Sequence, residues 1–111
     1  MRVALILIFS AVILVMLVAT IQGSLDRNVM VALEELWPDP WFRATLADAY
    51  FGFLTVFIWI AYRERSLAAK ILWFVALVLL GNFAIATYIL IELFRLPAGA
   101  PIERMLLRKE G

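Results

Sequence analysis

Cysteine and histidine are both missing from this 111-residue chain. Their absence excludes a disulfide, a thiol nucleophile, a Cys/His zinc site, a histidine-ligated haem and a Ser-His-Asp triad. A metal site would need carboxylates alone, and no metal-ligating set is read from them. Charge is scarce as well. Asp, Glu, Lys and Arg make up 17% of the residues, ten basic against nine acidic, for a net charge of +1. Neither a nucleic-acid footprint nor a polyacidic tail stands out, so no nucleic-acid partner is expected, and the placement of charges matters more than their sum. No internal repeat or low-complexity tract interrupts the chain.

What fills the chain is hydrocarbon. Hydrophobic residues make up 66% of it and the mean hydropathy is +0.99, well outside the range of soluble domains. Such a chain reads as a single membrane domain. Residues 3–21, VALILIFSAVILVMLVATI, carry no charge and match the length a helix needs to cross about 30 Å of hydrocarbon. A cleavable signal peptide is the competing reading, but only Arg2 supplies a basic end and no Ala-x-Ala lies near Gln22-Gly23.

The fold expected is an all-α bundle of three transmembrane helices, spanning about 3–22, 40–65 and 70–95, with an interfacial loop over 24–39 and a tail over 96–111. In the loop, Val29, Met30, Leu33, Leu36 and Trp37 fall at helical spacing and predict a short amphipathic helix. In the stretch WPDPW, Asp39 is placed as an N-cap and Pro40 at the first helical position, where its missing N–H costs nothing. Pro97 and Gly99 end the third span, and Ile102, Met105 and Leu106 beside Arg104, Arg108 and Lys109 suit a short surface helix. Counting basic residues favours an inner N-terminus and an outer C-terminus, in a bacterial inner membrane. Arg2, Arg63, Arg65 and Lys70 then lie inside, while Arg95, Arg104, Arg108 and Lys109 dissent.

Polar side chains inside the spans mark candidate contact sites. Trp41, Thr45, Asp48, Gly52, Thr55, Trp59 and Tyr62 recur every three or four residues and share one face of the second helix. Lipid offers an aspartate or threonine no partner, so this face should meet protein. In the third helix, Gly81, Asn82, Tyr88 and Glu92 form the corresponding set. Asn82 is expected to hydrogen-bond Thr55 or Ser10, and the two glycines to permit close helix approach. Because the second span enters where the third leaves, Arg43, Asp48, Glu92 and Arg95 are expected to form a charge cluster at one boundary. Trp37 and Trp41 would belt that boundary, Trp59 and Trp73 the other.

The segments WPDPWFRATLADAY, WIAYRERS and LLGNFAIATYILIELFRLP resemble a family of small three-span membrane proteins classed as a domain of unknown function. Its marks are a Trp-x-Asp-Pro-Trp turn, an Ala-Thr-Leu-x-Asp-x-Tyr helix start and a Trp-x-x-Tyr-(Lys/Arg)-Glu exit. Trp37, Asp39, Pro40, Trp41, Thr45, Asp48, Tyr50, Trp59, Tyr62 and Glu64 match that pattern. The resemblance implies a fold and no activity.

The function expected is that of a non-catalytic accessory, assembly or stabilising subunit, in contact with the bilayer and with other membrane subunits or copies of itself. The alternative is a homo-oligomeric transporter or proton-coupled carrier using Asp48 and Glu92. An enzyme is not expected, since no nucleophile-base pair is visible. Bound lipid, quinone or carotenoid is compatible with the aromatic content.

Overall fold

A computed structural model describes residues 1–109, and the described residues contain five α-helices and no strand. The first helix, α1, covers Arg2–Asp26 and its most apolar window has a mean hydropathy of 3.0. None of its residues is buried. At about 1.5 Å per residue its 25 residues reach about 37 Å, enough to cross a bilayer. The short α2, Val29–Leu36, is capped by the Asn28 side chain, which accepts from the Met30 N–H at 2.7 Å, and it too buries nothing. Arg27 is ion-paired with Glu35 beside it.

WPDPW behaves as its residues dictate. The Asp39 carboxylate accepts from the Trp41 N–H at 3.0 Å, Pro40 opens the helix, and α3 runs from Pro40 to Arg63. It is the second helix long and apolar enough to cross a membrane. Glu64 ends it in extended backbone. Ser66 then caps α4, Leu67–Leu80, accepting from the Ala69 N–H at 3.3 Å.

Over residues 70–95 the sequence predicts one continuous helix, and here the fold differs. α4 stops at Leu80 and α5 begins at Asn82, with Gly81 alone between them at φ +55° and ψ −120°. That conformation belongs to glycine, since a Cβ would collide with its own backbone. A Cβ there would also stand 2.7 Å from Cζ of Phe53. The chain reverses in this one residue. α4 and α5, Asn82–Arg95, are therefore antiparallel partners of 14 residues each, and the Trp73 and Tyr88 rings meet edge-on across the pair at 4.9 Å. At about 21 Å each, neither helix alone spans about 30 Å of hydrocarbon.

The reversal moves the tail. α4 runs back along α3, with Phe57 edge-on to Phe74 at 5.3 Å and the Tyr50 hydroxyl donating to the Val78 carbonyl at 3.1 Å. α5 returns toward the start of the chain and packs along α1, and the Arg2 guanidinium donates to the Pro97 carbonyl at 2.8 Å. The start of α1, the end of α3 and the tail as far as Lys109 thus share one end of the molecule. Arg2, Arg63, Arg65, Lys70, Arg95, Arg104, Arg108 and Lys109 lie toward that end, leaving Arg27 and Arg43 toward the other. One continuous third helix would instead have carried the tail to the end opposite Arg2.

A buried cluster of Ile60, Leu77, Ala84 and Tyr88, flanked by Val56, Phe57, Trp59 and Trp73, lies where α3 meets the hairpin. Ala86 and Leu93 of α5 are buried as well. The tail forms a 3-10 turn, Ile102–Leu106, and not an α-helix; its Met105 is buried against the protein.

Candidate functional site

The polar centre of the molecule is a buried ionic network at the end that holds the start of α1 and the tail. α3 delivers Arg63 from its last turn, and the extended cap places Glu64 beside it. α5 supplies Tyr88 and, one turn on, Glu92; the tail brings Lys109. Arg63 is 5% exposed, Glu64 and Glu92 7% each, and Tyr88 1%. Tyr88 stands at the centre: its hydroxyl accepts from Arg63 Nη1 at 2.8 Å and donates to Glu64 Oε2 at 2.8 Å. Arg63 Nη1 lies 3.3 Å from Glu92 Oε2, and Lys109 Nζ bridges Glu64 at 2.5 Å and Glu92 at 2.9 Å.

Backbone contacts lock the same groups. Arg63 Nε donates to the Leu107 carbonyl at 3.2 Å, Arg65 Nε to the Lys109 carbonyl at 2.6 Å, and the Lys109 N–H to the Arg63 carbonyl at 3.0 Å. Trp59 and Trp73 meet the Tyr88 ring edge-on, and the Arg63 guanidinium lies over both the Trp59 and Tyr88 rings. The indole N–H of Trp59 is buried without an acceptor.

Two cations face two carboxylates, so the buried charge sums to zero. Desolvation of four ions costs several kcal/mol each unless they are mutually paired and hydrogen-bonded, which they are here. The arrangement is a clamp that ties the α3 exit, α5 and the tail together. Among the described residues no three of Asp, Glu, His and Cys gather where they could hold a metal ion.

Burial pushes the Glu64 carboxyl up, but hydrogen bonds from Lys109 and Tyr88, with the charges of Lys109 and Arg63, outweigh it and hold the group below its ordinary value of 4.5. A carboxyl with a depressed folded value contributes stability that is fully present above pH 4.5 and is lost as pH falls through that lower value. The melting midpoint is therefore expected to fall when the protein is acidified from pH 7 to below 4.5. In Glu64→Gln the midpoint should start lower and fall less, which a pH series of thermal melts in detergent would read.

The expected boundary cluster does not assemble. Glu92 and Arg95 are 4.0 Å apart, but Arg43 lies beside the Trp37 ring near the opposite end of α3, 20 residues or about 30 Å from Arg63. Asp48 is about 22 Å from Arg63 along the same helix. The hairpin at Gly81 is the reason: it brings Glu92 to the exit of α3, not to its entrance.

The polar face of α3 points outward. Trp41, Thr45, Asp48, Gly52, Thr55 and Tyr62 are all exposed, and only Trp59 turns into the core. Thr45 and Thr55 donate to carbonyls of their own helix, those of Trp41 and Phe51. Asn82 therefore does not take Thr55 as its partner; it sits exposed at the hairpin tip. A Cβ on Gly52 would meet nothing within 4 Å, so this glycine permits no close approach inside the chain, whereas Gly81 does. Trp37 and Trp41 are exposed at the α3 entrance, as a belt requires, while Trp59 and Trp73 serve the core.

Sequence reasoning passes over Glu64, which it marks only as part of the family pattern, and the two cations Arg63 and Lys109 as site members. Both look like ordinary boundary cations, and the only trace of their role is the disagreement of the tail with the basic-residue count. No curated protein and no solved structure matches the chain. A family match covers residues 2–110, nearly the whole length, including the Trp-x-Asp-Pro-Trp turn, the exit that carries Arg63 and Glu64, and the tail that carries Lys109; the chain belongs to the family described as "Protein of unknown function (DUF1475)".

Proposed function

We propose that this protein is a non-catalytic integral membrane subunit that assembles with a larger membrane complex, or with copies of itself, through the outward face of α3. The observation that carries this reading is Asp48. It is exposed on a helix long enough to cross a membrane, about 12 Å from the α3 entrance, in line with exposed Thr45, Gly52 and Thr55. An aspartate turned to lipid costs up to roughly 2.5–3.5 kcal/mol at the bilayer centre and less toward the boundary. A partner helix could satisfy it, and Gly52 leaves room for one to approach closely.

In this reading α1 and α3 cross the bilayer. The α4–α5 hairpin enters from the basic end and returns to it, and by the positive-inside rule that end, with the start of α1 and the tail as far as Lys109, is cytoplasmic. The buried network holds the hairpin base while α3 presents its free face. The carrier alternative draws less support, because Asp48 stands about 22 Å along α3 from the pair that binds Glu92.

Isolation in mild detergent should give a particle larger than the monomer. Gly52→Leu and Asp48→Asn are expected to shift it to monomer size, with the melting midpoint of the chain itself changed by no more than a few degrees. A wild-type chain that runs alone and monomeric from native membranes would overturn the proposal. Unchanged assembly with lost proton or solute flux in Asp48→Asn would favour the carrier.

A further inference from the structure

Outside the neutral network lies a second layer of charge that the clamp does not consume. A cleft of about 320 Å³ opens between the end of α5 and the tail, lined by Arg63, Glu92, Arg95, Arg104, Arg108 and Lys109 together with apolar residues. Among the described residues five cations therefore face one carboxylate. That carboxylate, Glu92, is already held by Arg63 and Lys109, with Arg95 at 4.0 Å as its third neighbour. The Arg95 side chain is 69% exposed, and Arg104 and Arg108 are exposed too. Three guanidinium forks thus line one concave surface with an excess of positive charge among the described residues, which is the chemistry that matches phosphate oxygens.

A second cleft of about 310 Å³ lies next to it. Its lining, between the start of α1, α5 and the tail, is apolar, with Leu5, Trp59, Ile89, Met105 and Leu106 among its walls, except for the exposed carboxylate of Glu103. Met105, itself buried, walls both clefts. A polar anion site joined to an apolar slot has the shape of an amphiphile. We infer that the base of the hairpin binds the headgroup phosphate of an anionic phospholipid on Arg95, Arg104 and Arg108, with an acyl chain in the slot between α1 and the tail. The bound lipid would brace the tail against α1 at the end where the hairpin emerges. This site is separate from the α3 docking face and does not depend on it.

The test is a lipid titration of the detergent-purified full chain, read by native mass spectrometry, with three probes: a long-chain phosphatidylglycerol, a phosphatidylcholine with the same chains, and glycerol phosphate with inorganic phosphate. Wild type should bind phosphatidylglycerol at least about tenfold more tightly than phosphatidylcholine, as expected for two or more arginines near one anionic headgroup. Arg104→Gln with Arg108→Gln, both outside the buried network, should lose roughly 10- to 30-fold of that affinity. Arg27→Gln with Arg43→Gln, at the opposite end, should lose none. Leu106→Glu, at the mouth of the slot, should weaken the long-chain lipid by a similar factor and serves if the double variant fails to fold. Equal binding of both lipids would overturn the inference, as would equal losses from the two ends of the molecule. Tight binding of glycerol phosphate or inorganic phosphate, undiminished by the missing chains, would also overturn it in favour of a soluble-anion site. None of these readings requires the chain to be assembled with a partner.

Discussion

Glu92→Gln should destabilise the protein by about 3–5 kcal/mol, the cost of removing one partner from a buried ionic group and stranding the charges it balanced. Arg63, buried, and Lys109, half-buried, would be left with Glu64 alone, one negative charge against two positive. Glutamine keeps the shape and can still accept a hydrogen bond, so the loss isolates the charge. The tail should respond first, because Lys109 joins it to both carboxylates, and what remains is buried Met105 and the backbone bonds to Arg63 and Arg65. Trypsin at neutral pH should cut after Arg104 or Arg108 at least several-fold faster in the variant, before any change in the helical signal. Replacing Glu92 and Lys109 together by leucine should cost less than the sum of the single changes, since the pair leaves neither ion stranded. A fall of under about 1 kcal/mol for Glu92→Gln would mean that water reaches the network and that it is an ordinary surface ion pair.

What could be read from the residues and what could not divides along sequence separation. The Asp39 cap and the Pro40 start are determined within two residues, and α1 is determined by one uninterrupted apolar run, so both are plain in the sequence. The face of α3 is also plain, because its spacing is a property of one helix. Where that face points is not, since it depends on which side of α3 the hairpin occupies. Residues 71–94 carry enough apolar side chains for one span, and only Gly81 distinguishes a span from a hairpin. A single glycine in a helical pattern is commonly tolerated, so the local signal is weak. Its stronger trace is far away: Arg95, Arg104, Arg108 and Lys109 fit one end of the molecule only if the chain turns back. The network itself joins Glu64 to Lys109 across 45 residues and has no periodicity to betray it. Of its charged members only Glu92 is marked in the sequence as a cluster residue; Arg63 and Lys109 read as boundary cations, and their partnership with it depends on the turn.

Gly81→Ala tests that turn directly and should cost about 2–4 kcal/mol. Holding a non-glycine residue at φ +55° and ψ −120° costs roughly 1–3 kcal/mol by itself. The added methyl would also lie 2.7 Å from Cζ of Phe53, so that ring must shift to admit it. The ring packs edge-on against Tyr50 at 5.3 Å, and the Tyr50 hydroxyl is bound to the Val78 carbonyl on α4. Combining Gly81→Ala with Phe53→Leu should recover the steric part and leave the backbone part, so the rescue is expected to be partial. The variant also has an escape that ordinary core mutants lack. Joined through alanine, residues 67–95 make a helix of 29 residues and about 43 Å, long enough to cross the membrane. That helix would carry the tail to the opposite side and break the network. The absence of cysteine makes the outcome easy to follow, because every introduced thiol is unique. In the otherwise native chain, Ala98→Cys, at an exposed position, should react with an impermeant thiol reagent from the same side as Ser66→Cys and from the opposite side to Ser24→Cys. With Gly81→Ala added, a fraction of Ala98→Cys should become reactive from the Ser24 side, and that fraction should grow with temperature as the strained hairpin gives way. Labelling of Ala98→Cys from the Ser24 side in the native chain would mean that residues 70–95 cross the bilayer as one span and that the hairpin does not form.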